Sequence, residues 1–441
     1  MHMRDDKTLL ADATAVLKQN DRGGYTMPAG DLYPHQWLWD SCFIAIGLRH
    51  LDVDRAQTEL LSLLRGQWKN GMLPNMIFSG LPGFERDRQA WSSWLSPNAP
   101  DSIQTSGITQ PPMLAEAVVQ VGKKLPWPER RHWYHQVWDG LLAYHEWLYA
   151  ERDPHQEGLV LLVHPWETGL DNTPPWMSYL EDHQLSWWIR AMHKSKLDNA
   201  VSLFRRDTRS VPVNERFSNV EVLALFDVQR RLRRKAYDIN RILDHSLFAI
   251  EDLAFNSILI RANEHLRHIA TSIREELPAE LDASMKRTEK AFDHLWDELS
   301  QQYYSRDFVT HKWLRESSIA TLLPLYAGHI TKERADRLVK LIENPHQFGL
   351  KFPLPSVPRV SAYFDPKRYW QGPTWINMNW LIIDGLKRYG YDDHAAVLTE
   401  ITLELVRMHG CNEYFDPLDG SPLGAKNFSW TAALAIDLLK P

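Results

Sequence analysis

The sequence predicts an all-α toroid in which an inner and an outer ring of six helices pack together. Along most of the chain, apolar residues recur at spacings of three and four, which is the pattern of helices that bury one face. Two rings of six require twelve helices, and the pattern predicts about twelve to fourteen. The predicted helical stretches are 7–18, 40–50, 52–66, 112–121, 133–149, 218–234, 246–272, 282–300, 317–327, 376–388, 394–408 and 430–439.

The segments between these stretches support the same fold. The alternation typical of strands is rare, and residues 158–163 and 350–354 are the main candidates for extended structure. Four connections are unusually long and rich in Gly, Pro, Asn and aromatic residues, and such loops in a compact domain are usually functional. They span 22–36, 70–111, 153–176 and 344–375. We expect them to gather at one end of the toroid.

Residues 177–242 differ from the rest of the chain, and we interpret them as a helical insertion or cap. They lack loops that combine aromatic residues with proline, and they carry a basic run at 230–235. A short basic run is typical of a solvated helix face. The net charge of −6 gives no reason to expect nucleic-acid binding.

The composition is that of a soluble globular protein, since 44% of the 441 residues are hydrophobic and 24% are charged. The two cysteines, Cys42 and Cys411, are too few for a disulfide framework and indicate a reducing compartment. The first residues, MHMRDDKTLL, show no secretory leader, and no apolar run approaches the roughly 18 residues of a membrane span. We therefore expect a cytoplasmic protein that binds neither membranes nor nucleic acids.

Nineteen tryptophans are unusual for this length. Many belong to short segments with Pro or Gly rather than to helices, as do Trp37, Trp166, Trp370 and Trp375. Aromatic side chains on loops often line binding clefts, because a flat ring covers an apolar ligand face. Sugars have such faces, so these loops predict a carbohydrate cleft.

Two of the aromatic segments also carry carboxylates. The first, HPWETGLDNTPPW (164–176), contains Glu167 and Asp171. An aromatic wall raises the pKa of a nearby carboxyl group, which suits a general acid, although either residue could instead form a turn. The second, NEYFDPLDG (412–420), contains Glu413, which could act as a general base or as a nucleophile.

Three further segments could line the same cleft. Asp40 follows the aromatic run LYPHQWLW and is either a helix N-cap or a ligand for sugar hydroxyls. Gln110 precedes a proline pair and could hydrogen-bond into a pocket. The segment YWQGPTW (369–375) is either a subsite wall or a packed surface loop.

Several familiar chemistries are missing from the sequence. It has no phosphate-binding glycine loop, no dinucleotide fingerprint, no serine elbow and no zinc-ligand spacing. We therefore expect neither a cofactor nor a metal. Separated carboxylates in an aromatic cleft favour acid–base hydrolysis of a glycosidic bond.

Six stretches in order resemble glycoside hydrolase family 63, and most closely its bacterial mannosylglycerate and glucosylglycerate hydrolases. They are LYPHQWLWD (32–40), QWKNGMLPN (67–75), TSGITQPP (105–112), HPWETGLDNTP (164–174), YWQGPTW (369–375) and NEYFDPLDGSPLG (412–424). The resemblance implies an (α/α)6 catalytic barrel formed by residues 1–176 and 243–441, with the insertion at 177–242. It also implies inverting hydrolysis of an α-glycoside.

By motif position, the resemblance assigns roles to individual residues. Asp171 would be the general acid, and Glu413 would be the base that activates water. In inverting enzymes two such carboxyl groups lie roughly 6.5–9.5 Å apart, which leaves room for that water. The predicted substrate-binding residues are Tyr33, Trp37, Asp40, Gln110, Trp166, Glu167, Trp370, Gly372, Trp375 and Trp430.

The sequence departs from the family pattern where the aglycone would bind. Phe84 stands where glycerate-processing members have a pocket tyrosine, and the insertion loop 207–217 is altered. Arg209 and Arg216 are the candidates in that loop for pairing with the glycerate carboxylate. A small neutral α-glucoside, such as glucosylglycerol or a disaccharide, is therefore the alternative substrate.

Two alternatives outside hydrolysis remain open. A sugar epimerase or isomerase on the same toroid would use histidines such as His35 and His164, which lie in the aromatic segments. A sugar-binding protein without catalysis would use the same aromatic walls. Glucose or mannose as the sugar, and a monomer or a homo-oligomer as the assembly, are equally compatible with the sequence.

Overall fold

The computed structural model describes residues 3–30, 32–180, 186–195, 205 and 207–440. Its helices are α1 (Asp6–Asn20), α2 (Leu38–Leu48), α3 (Val53–Arg65), α4 (Glu85–Trp91), α5 (Leu114–Gly122), α6 (Trp127–Arg152), α7 (Pro174–Tyr179), α8 (Trp187–Lys194), α9 (Asp207–Ser210), α10 (Asn219–Arg234), α11 (Ile239–Leu243), α12 (Leu253–Ile273), α13 (Ala279–Ala291), α14 (Pro324–Ala327), α15 (Lys332–Glu343), α16 (Ile376–Arg388), α17 (Asp392–His409) and α18 (Ser429–Leu439). The all-α prediction is confirmed.

Six helices form a closed inner ring. In order around the ring they are α2, α5, α12, α14, α16 and α18, and α18 returns to pack against α2. The outer ring consists of α1, α3, α6, α13, α15 and α17, each packed against an inner helix. The predicted (α/α)6 barrel is thus confirmed.

The sequences of the helices explain which ring they join. Every residue of α2 is buried, as expected for a helix covered on all sides. In contrast, α3 buries a stripe that includes Ala56, Leu60 and Leu63 and exposes its other face. The inner helices also approach closely: a Cβ atom on Gly47 of α2 would lie 2.4 Å from the Cα atom of Ala433 in α18, so glycine is required there.

Three stretches differ from the prediction, and the first is 246–272, where the helix begins only at Leu253. The helix predicted at 282–300 ends at Ala291, because the next residues turn and pair as a strand in which Trp296 packs 4.8 Å from Tyr303. Tertiary packing here overrides the helical pattern. The outer helix α15 was absent from the prediction because its apolar stripe is short. Its N-cap, Thr331, which accepts a hydrogen bond from the Arg334 amide, is the signal that identifies its start.

The strands are short and connect the long loops. They are β1 (Gln36–Trp37), β2 (Met76–Ile77), β3 (Leu161–Leu162), β4 (Ile250–Glu251), β5 (Trp296–Asp297), β6 (Gln302–Tyr303), β7 (Arg306–Asp307), β8 (Asn412–Phe415) and β9 (Pro422–Lys426). β1 pairs with β2, β3 with β4 and β4 with β7, β5 with β6, and β8 with β9, always antiparallel. The strand predicted at 158–163 corresponds to β3, whereas 350–354 contains no strand.

The long loops meet where α2, α16 and α18 begin, so this end of the barrel carries the predicted site. Between α7 and α12 the chain leaves the rings, and α10 packs against α4 and α8. The insertion predicted at 177–242 stays a prediction, and its residues 181–185, 196–204 and 206 lie outside the described part. Within the described ranges, no helix is both long enough and apolar enough to cross a membrane.

Candidate active site

Asp171 lies at the site because a tight turn directs the chain there. A 3₁₀ turn, Pro165–Thr168, ends at Gly169, whose φ of +73° is in the left-handed region. A Cβ atom on Gly169 would lie 2.5 Å from the Trp39 indole, so glycine meets both the conformational and the steric requirement. Asp171 follows and remains partly exposed.

The surroundings of Asp171 favour its protonated form. Burial raises the pKa of its carboxyl group to about 7, and the negative charge of Glu413 adds to this effect. Three interactions oppose the increase: the 3.1 Å hydrogen bond that the Tyr369 hydroxyl donates to Oδ2, the positive charge of Arg216, and a hydrogen bond from the backbone of Asp171 itself. A carboxyl group of this pKa can donate a proton near neutral pH.

Glu413 occupies a different environment, on β8 with β9 beside it. The Tyr33 hydroxyl donates a 2.8 Å hydrogen bond to Oε1, and the Ala425 amide donates one of 2.8 Å to Oε2. Nη1 of Arg216 lies 3.3 Å from Oε1 and 3.4 Å from Oε2. The carboxylate of Glu413 is therefore buried, paired and surrounded by donors.

Arg216 reaches the site from the loop that follows α9. Its guanidinium lies 4.3 Å over the Tyr369 ring and donates a 2.6 Å hydrogen bond from Nη2 to the Tyr33 hydroxyl. The same loop is held to the barrel through Glu215, whose carbonyl accepts from the Tyr414 hydroxyl and whose carboxylate accepts from the Gly424 amide. One stacked pair, Arg216 on Tyr369, thus contacts both Asp171 and Glu413.

Asp40 is the third carboxylate of the site. The helix α2 begins at Leu38 with Trp37 as its N-cap, so the interpretation of Asp40 as an N-cap is wrong. Burial raises the pKa of Asp40 well above its ordinary value, and the nearby charges of Glu413 and Asp171 contribute to the increase. The charges of Asp171 and Glu413 therefore lie close enough to Asp40 to act on its carboxyl group.

The segment 369–375, predicted to be either a subsite wall or a packed surface loop, mostly supports the site. Trp370 and Trp375 stack face to face with centroids 3.7 Å apart, and each is 1% exposed. Behind the pocket, Trp375 contacts Tyr369 and Tyr414. Gly372 allows the backbone to cross closely, because a Cβ atom there would lie 2.0 Å from a carbonyl oxygen of the preceding turn.

The remaining predicted residues divide between the pocket and its supports. Trp37 and Trp430 both have an indole N–H that is buried without a hydrogen-bond partner. Oε1 of Gln110 accepts a 3.5 Å hydrogen bond from the Trp39 amide in α2. Trp166 packs against His164, with ring centroids 4.7 Å apart.

Glu167 has a structural environment. Its two oxygens accept hydrogen bonds from both terminal nitrogens of Arg152, at 2.7 and 3.0 Å, and from the amides of Thr109 and Val163. The Glu167 side chain is 0% exposed. Because protein donors fill its carboxylate and no solvent reaches it, we assign Glu167 to holding the loop in place rather than to contacting a substrate, contrary to the prediction.

Sequence analysis missed Tyr369 and Asn172. Tyr369 belongs to the predicted wall segment, and its hydroxyl was the available signal. Asn172 follows the predicted acid, and its Oδ1 accepts a 3.0 Å hydrogen bond from the Trp370 amide, which joins the two segments. The predicted alternative Arg209 has a side chain outside the described part. No cluster of three or more His, Cys, Asp or Glu in the described ranges could hold a metal ion.

Comparison with known proteins identifies the family to which this barrel belongs. The family model of the mannosylglycerate hydrolase MGH1-like glycoside hydrolase domain matches residues 33–431. This chain therefore belongs to the MGH1-like glycoside hydrolases, within the inverting glycoside hydrolase family 63.

Individual relatives are similar to this chain over almost its whole length. The mannosylglycerate hydrolase of Thermus thermophilus is 39% identical over 96% of this chain and 99% of its own. The glucosylglycerate hydrolase of Mycolicibacterium hassiacum is 33% identical over 98% of this chain and 97% of its own. The crystal structure of the mannosylglycerate hydrolase from a second strain of Thermus thermophilus, in complex with Tris and D-glycerate, is similar with a TM-score of 0.86, at 37% identity over 97% of this chain and 99% of that one.

Replacing Gly424 by alanine should disable the site by displacing Glu413. A Cβ atom there would lie 2.5 Å from Cε1 of Tyr414 and 2.6 Å from Oε2 of Glu413, so the Glu413 carboxylate and its surroundings must move. We expect kcat/KM for an α-glycoside to fall on the order of tenfold to a hundredfold, because small misplacements of reacting groups are costly. Steady-state kinetics on the Gly424→Ala variant would show this.

The matched control is Gly390→Ala. Gly390 has a φ of +74°, close to the +69° of Gly424, but has open space where its Cβ atom would be. Both variants should therefore carry a similar backbone strain of about 1–2 kcal/mol. Equal losses of activity in the two variants would show that strain alone, and not contact with Glu413, explains the effect.

Proposed function

We propose that Asp171 and Glu413 are the acid and the base of an inverting α-glycoside hydrolase. The observation that carries this proposal is the contrast between the two carboxyl groups within one pocket. Asp171 has a pKa of about 7 and so holds a proton near neutral pH. Glu413 is instead paired with the Arg216 guanidinium and accepts hydrogen bonds from the Tyr33 hydroxyl and the Ala425 amide. Pairs of carboxyl groups in contrasting environments are the usual basis of acid–base assignments.

In the proposed reaction, Glu413 takes a proton from a water molecule as that water attacks the anomeric carbon. Asp171 donates its proton to the glycosidic oxygen as the bond between that oxygen and the anomeric carbon breaks. The products are the free sugar, with inverted anomeric configuration, and the alcohol. Glu413 then holds a proton from the water, while the proton of Asp171 has left on the alcohol, and exchange with solvent restores both groups.

We assign the sugar to the part of the pocket beside Asp40. Its carboxylate is buried among the N-terminal residues of α2 and can accept hydrogen bonds from sugar hydroxyls. The indole N–H groups of Trp37 and Trp430, buried without partners, are donors for sugar oxygens. This arrangement suits a single hexose unit and does not distinguish glucose from mannose.

We further propose that the aglycone is glycerate, so that the substrate is glucosylglycerate or mannosylglycerate. Arg216 supports an anionic aglycone, because its guanidinium is beside both proposed catalytic groups. The names of the two relatives and the D-glycerate in the related crystal structure support the same class of substrate.

A small neutral α-glucoside is the second candidate for the substrate. Phe84, which has no hydroxyl, stands at the position of the family's pocket tyrosine, and its ring centroid lies 5.7 Å from that of His35. An apolar ring there lacks the hydrogen bond that a tyrosine would give to an acidic aglycone.

The cytoplasm is the compartment that we propose for this activity. Both cysteines, Cys42 and Cys411, are free and buried. Burial raises the pKa of the Cys411 thiol to about 12, which leaves it an unreactive thiol rather than a redox group.

Variants of the two carboxyl groups should differ in how their hydrolysis rates depend on whether the leaving group needs a proton. We expect Asp171→Asn and Glu413→Gln each to reduce kcat on a glycerate glycoside by about 10²–10⁴-fold. An α-glycosyl fluoride needs no proton on its leaving group, so Asp171→Asn should hydrolyse the fluoride at nearly the wild-type rate. Glu413→Gln should not, because water must still be deprotonated. Fluoride release measured with an ion-selective electrode tests this.

If Glu413→Gln hydrolysed the fluoride at nearly the wild-type rate and Asp171→Asn did not, the roles of acid and base would be reversed. Wild-type rates on the glycerate glycoside in either variant would remove that residue from its proposed role. Replacing Glu167 by glutamine provides a control for the loss of a buried charge near the site, because Glu167 contacts only protein groups.

The pH dependence of kcat/KM should report the proposed acid. Asp171 must be protonated, so activity should fall above its pKa of about 7 by about tenfold per pH unit. The Tyr369→Phe variant removes a hydrogen bond that lowers this pKa, so its basic limb should move to higher pH. An unchanged limb in Tyr369→Phe would show that another group controls it.

A further inference from the structure

The proposed base, Glu413, has its acceptor positions filled by protein. A carboxylate offers about four lone-pair sites, two on each oxygen. Tyr33 and Arg216 contact Oε1, while the Ala425 amide and Arg216 contact Oε2. A general base must accept a hydrogen bond from the water that it deprotonates. One of these donors therefore has to leave before the reaction.

Arg216 is the donor that can leave. Its two contacts with Glu413, at 3.3 and 3.4 Å, are longer than the 2.8 Å contacts of Tyr33 and Ala425. The Ala425 amide is also fixed in the β8–β9 hairpin, whereas Arg216 comes from a loop outside the barrel. Among the three donors, Arg216 therefore makes the longest contacts with Glu413, and it is the one whose backbone lies outside the barrel.

Arg216 also has an unused donor. Its Nε atom is buried without a hydrogen-bond partner, and the nearest carboxylate oxygen, Oδ2 of Asp207, lies 3.7 Å away. Buried donors in native proteins are normally paired, so an unpaired one indicates a place for a ligand acceptor. A carboxylate is well suited, because it binds a guanidinium through two parallel hydrogen bonds.

We propose that Arg216 couples aglycone recognition to activation of the base. When an acidic aglycone binds, its carboxylate takes the guanidinium of Arg216 from Glu413, and Glu413 gains free acceptor sites for the attacking water. A neutral aglycone leaves Arg216 paired with Glu413. This inference depends on the proposed role of Glu413, and it makes Arg216 a positioning residue that selects for negative charge in the aglycone.

The coupling follows from differential affinity. A ligand shifts a conformational equilibrium only as far as it prefers one state, and only an acidic aglycone binds the guanidinium better after it has left Glu413. The same movement acts on Asp171, whose pKa Arg216 lowers. With the positive charge withdrawn, Asp171 holds its proton more firmly, so both proposed catalytic groups change in the direction that hydrolysis needs.

The test uses an α-glycosyl fluoride, whose small leaving group keeps the aglycone space open. Fluoride release by the wild-type protein is measured with added D-glycerate, or with glycerol at the same concentration and ionic strength. We expect saturable activation of about fivefold or more with D-glycerate. Glycerol, which has the hydroxyls but no carboxylate, should give none.

Variants distinguish the switch from a structural role. Arg216→Ala should hydrolyse the fluoride without D-glycerate at least as fast as the activated wild-type protein, and D-glycerate should not accelerate it further. The same variant should lose kcat/KM on the glycerate glycoside. Arg231→Ala is the matched control, because Arg231 pairs with Asp227 on α10 and should behave as the wild-type protein does. Circular dichroism establishes that each variant is folded.

Two results would overturn the switch. One is wild-type fluoride hydrolysis that D-glycerate leaves unchanged or only inhibits, a result that depends on no variant. The other is a folded Arg216→Ala protein that is slower than the wild-type protein without D-glycerate. Failure of the proposed function looks different: Glu413→Gln would then hydrolyse the fluoride at the wild-type rate.

Discussion

Negative charge concentrated in a pocket of low polarity is the constraint on which the site depends. The charges of Glu413 and Asp171 raise the pKa of Asp40, and the charge of Glu413 raises the pKa of Asp171, because like charges repel strongly where water is scarce. The repulsion is reduced because the two proposed catalytic carboxyl groups are in different states. Asp171 is protonated up to about pH 7, and Glu413 is paired with Arg216.

The carboxylates and the guanidinium that pairs with Glu413 come from different parts of the chain. The barrel supplies the carboxylates from segments that precede or begin inner-ring helices, with Asp40 in α2 and Glu413 shortly before α18. The compensating cation comes from outside the rings, on the loop between α9 and α10. Hydrogen bonds from Tyr414 and Gly424 to Glu215 hold this loop against the site. The negative groups and their counter-ion are therefore carried by different parts of the fold.

Most of the barrel could be predicted from the sequence because helices report their buried face in the spacing of apolar residues. The inner helices α2, α5, α16 and α18 fall close to their predicted positions. Where packing is decided by distant partners, the pattern failed. Trp296 pairs with Tyr303 instead of continuing a helix, and α15 has too few apolar residues to stand out.

The site could be predicted in part for a related reason. The carboxylates stand out among aromatic residues, and the resemblance to the family motifs assigns a role to each of them. The partners of each group depend on contacts between residues far apart in the chain, which spacing does not show. Glu167 and Asp171 are four residues apart in one aromatic segment, yet Arg152 neutralises the first and Tyr369 contacts the second. Their different roles appear only in the folded chain.

Proton NMR of the first sugar released is the most direct test of the central claim, that Asp171 and Glu413 hydrolyse an α-glycoside of glycerate with inversion. Glucosylglycerate and mannosylglycerate are each mixed with the protein, and spectra are recorded before the sugar mutarotates. The account predicts that the β-anomer appears first from at least one of them, together with free glycerate. An α-anomer as the first product would contradict the direct attack of water that Glu413 is assigned to promote.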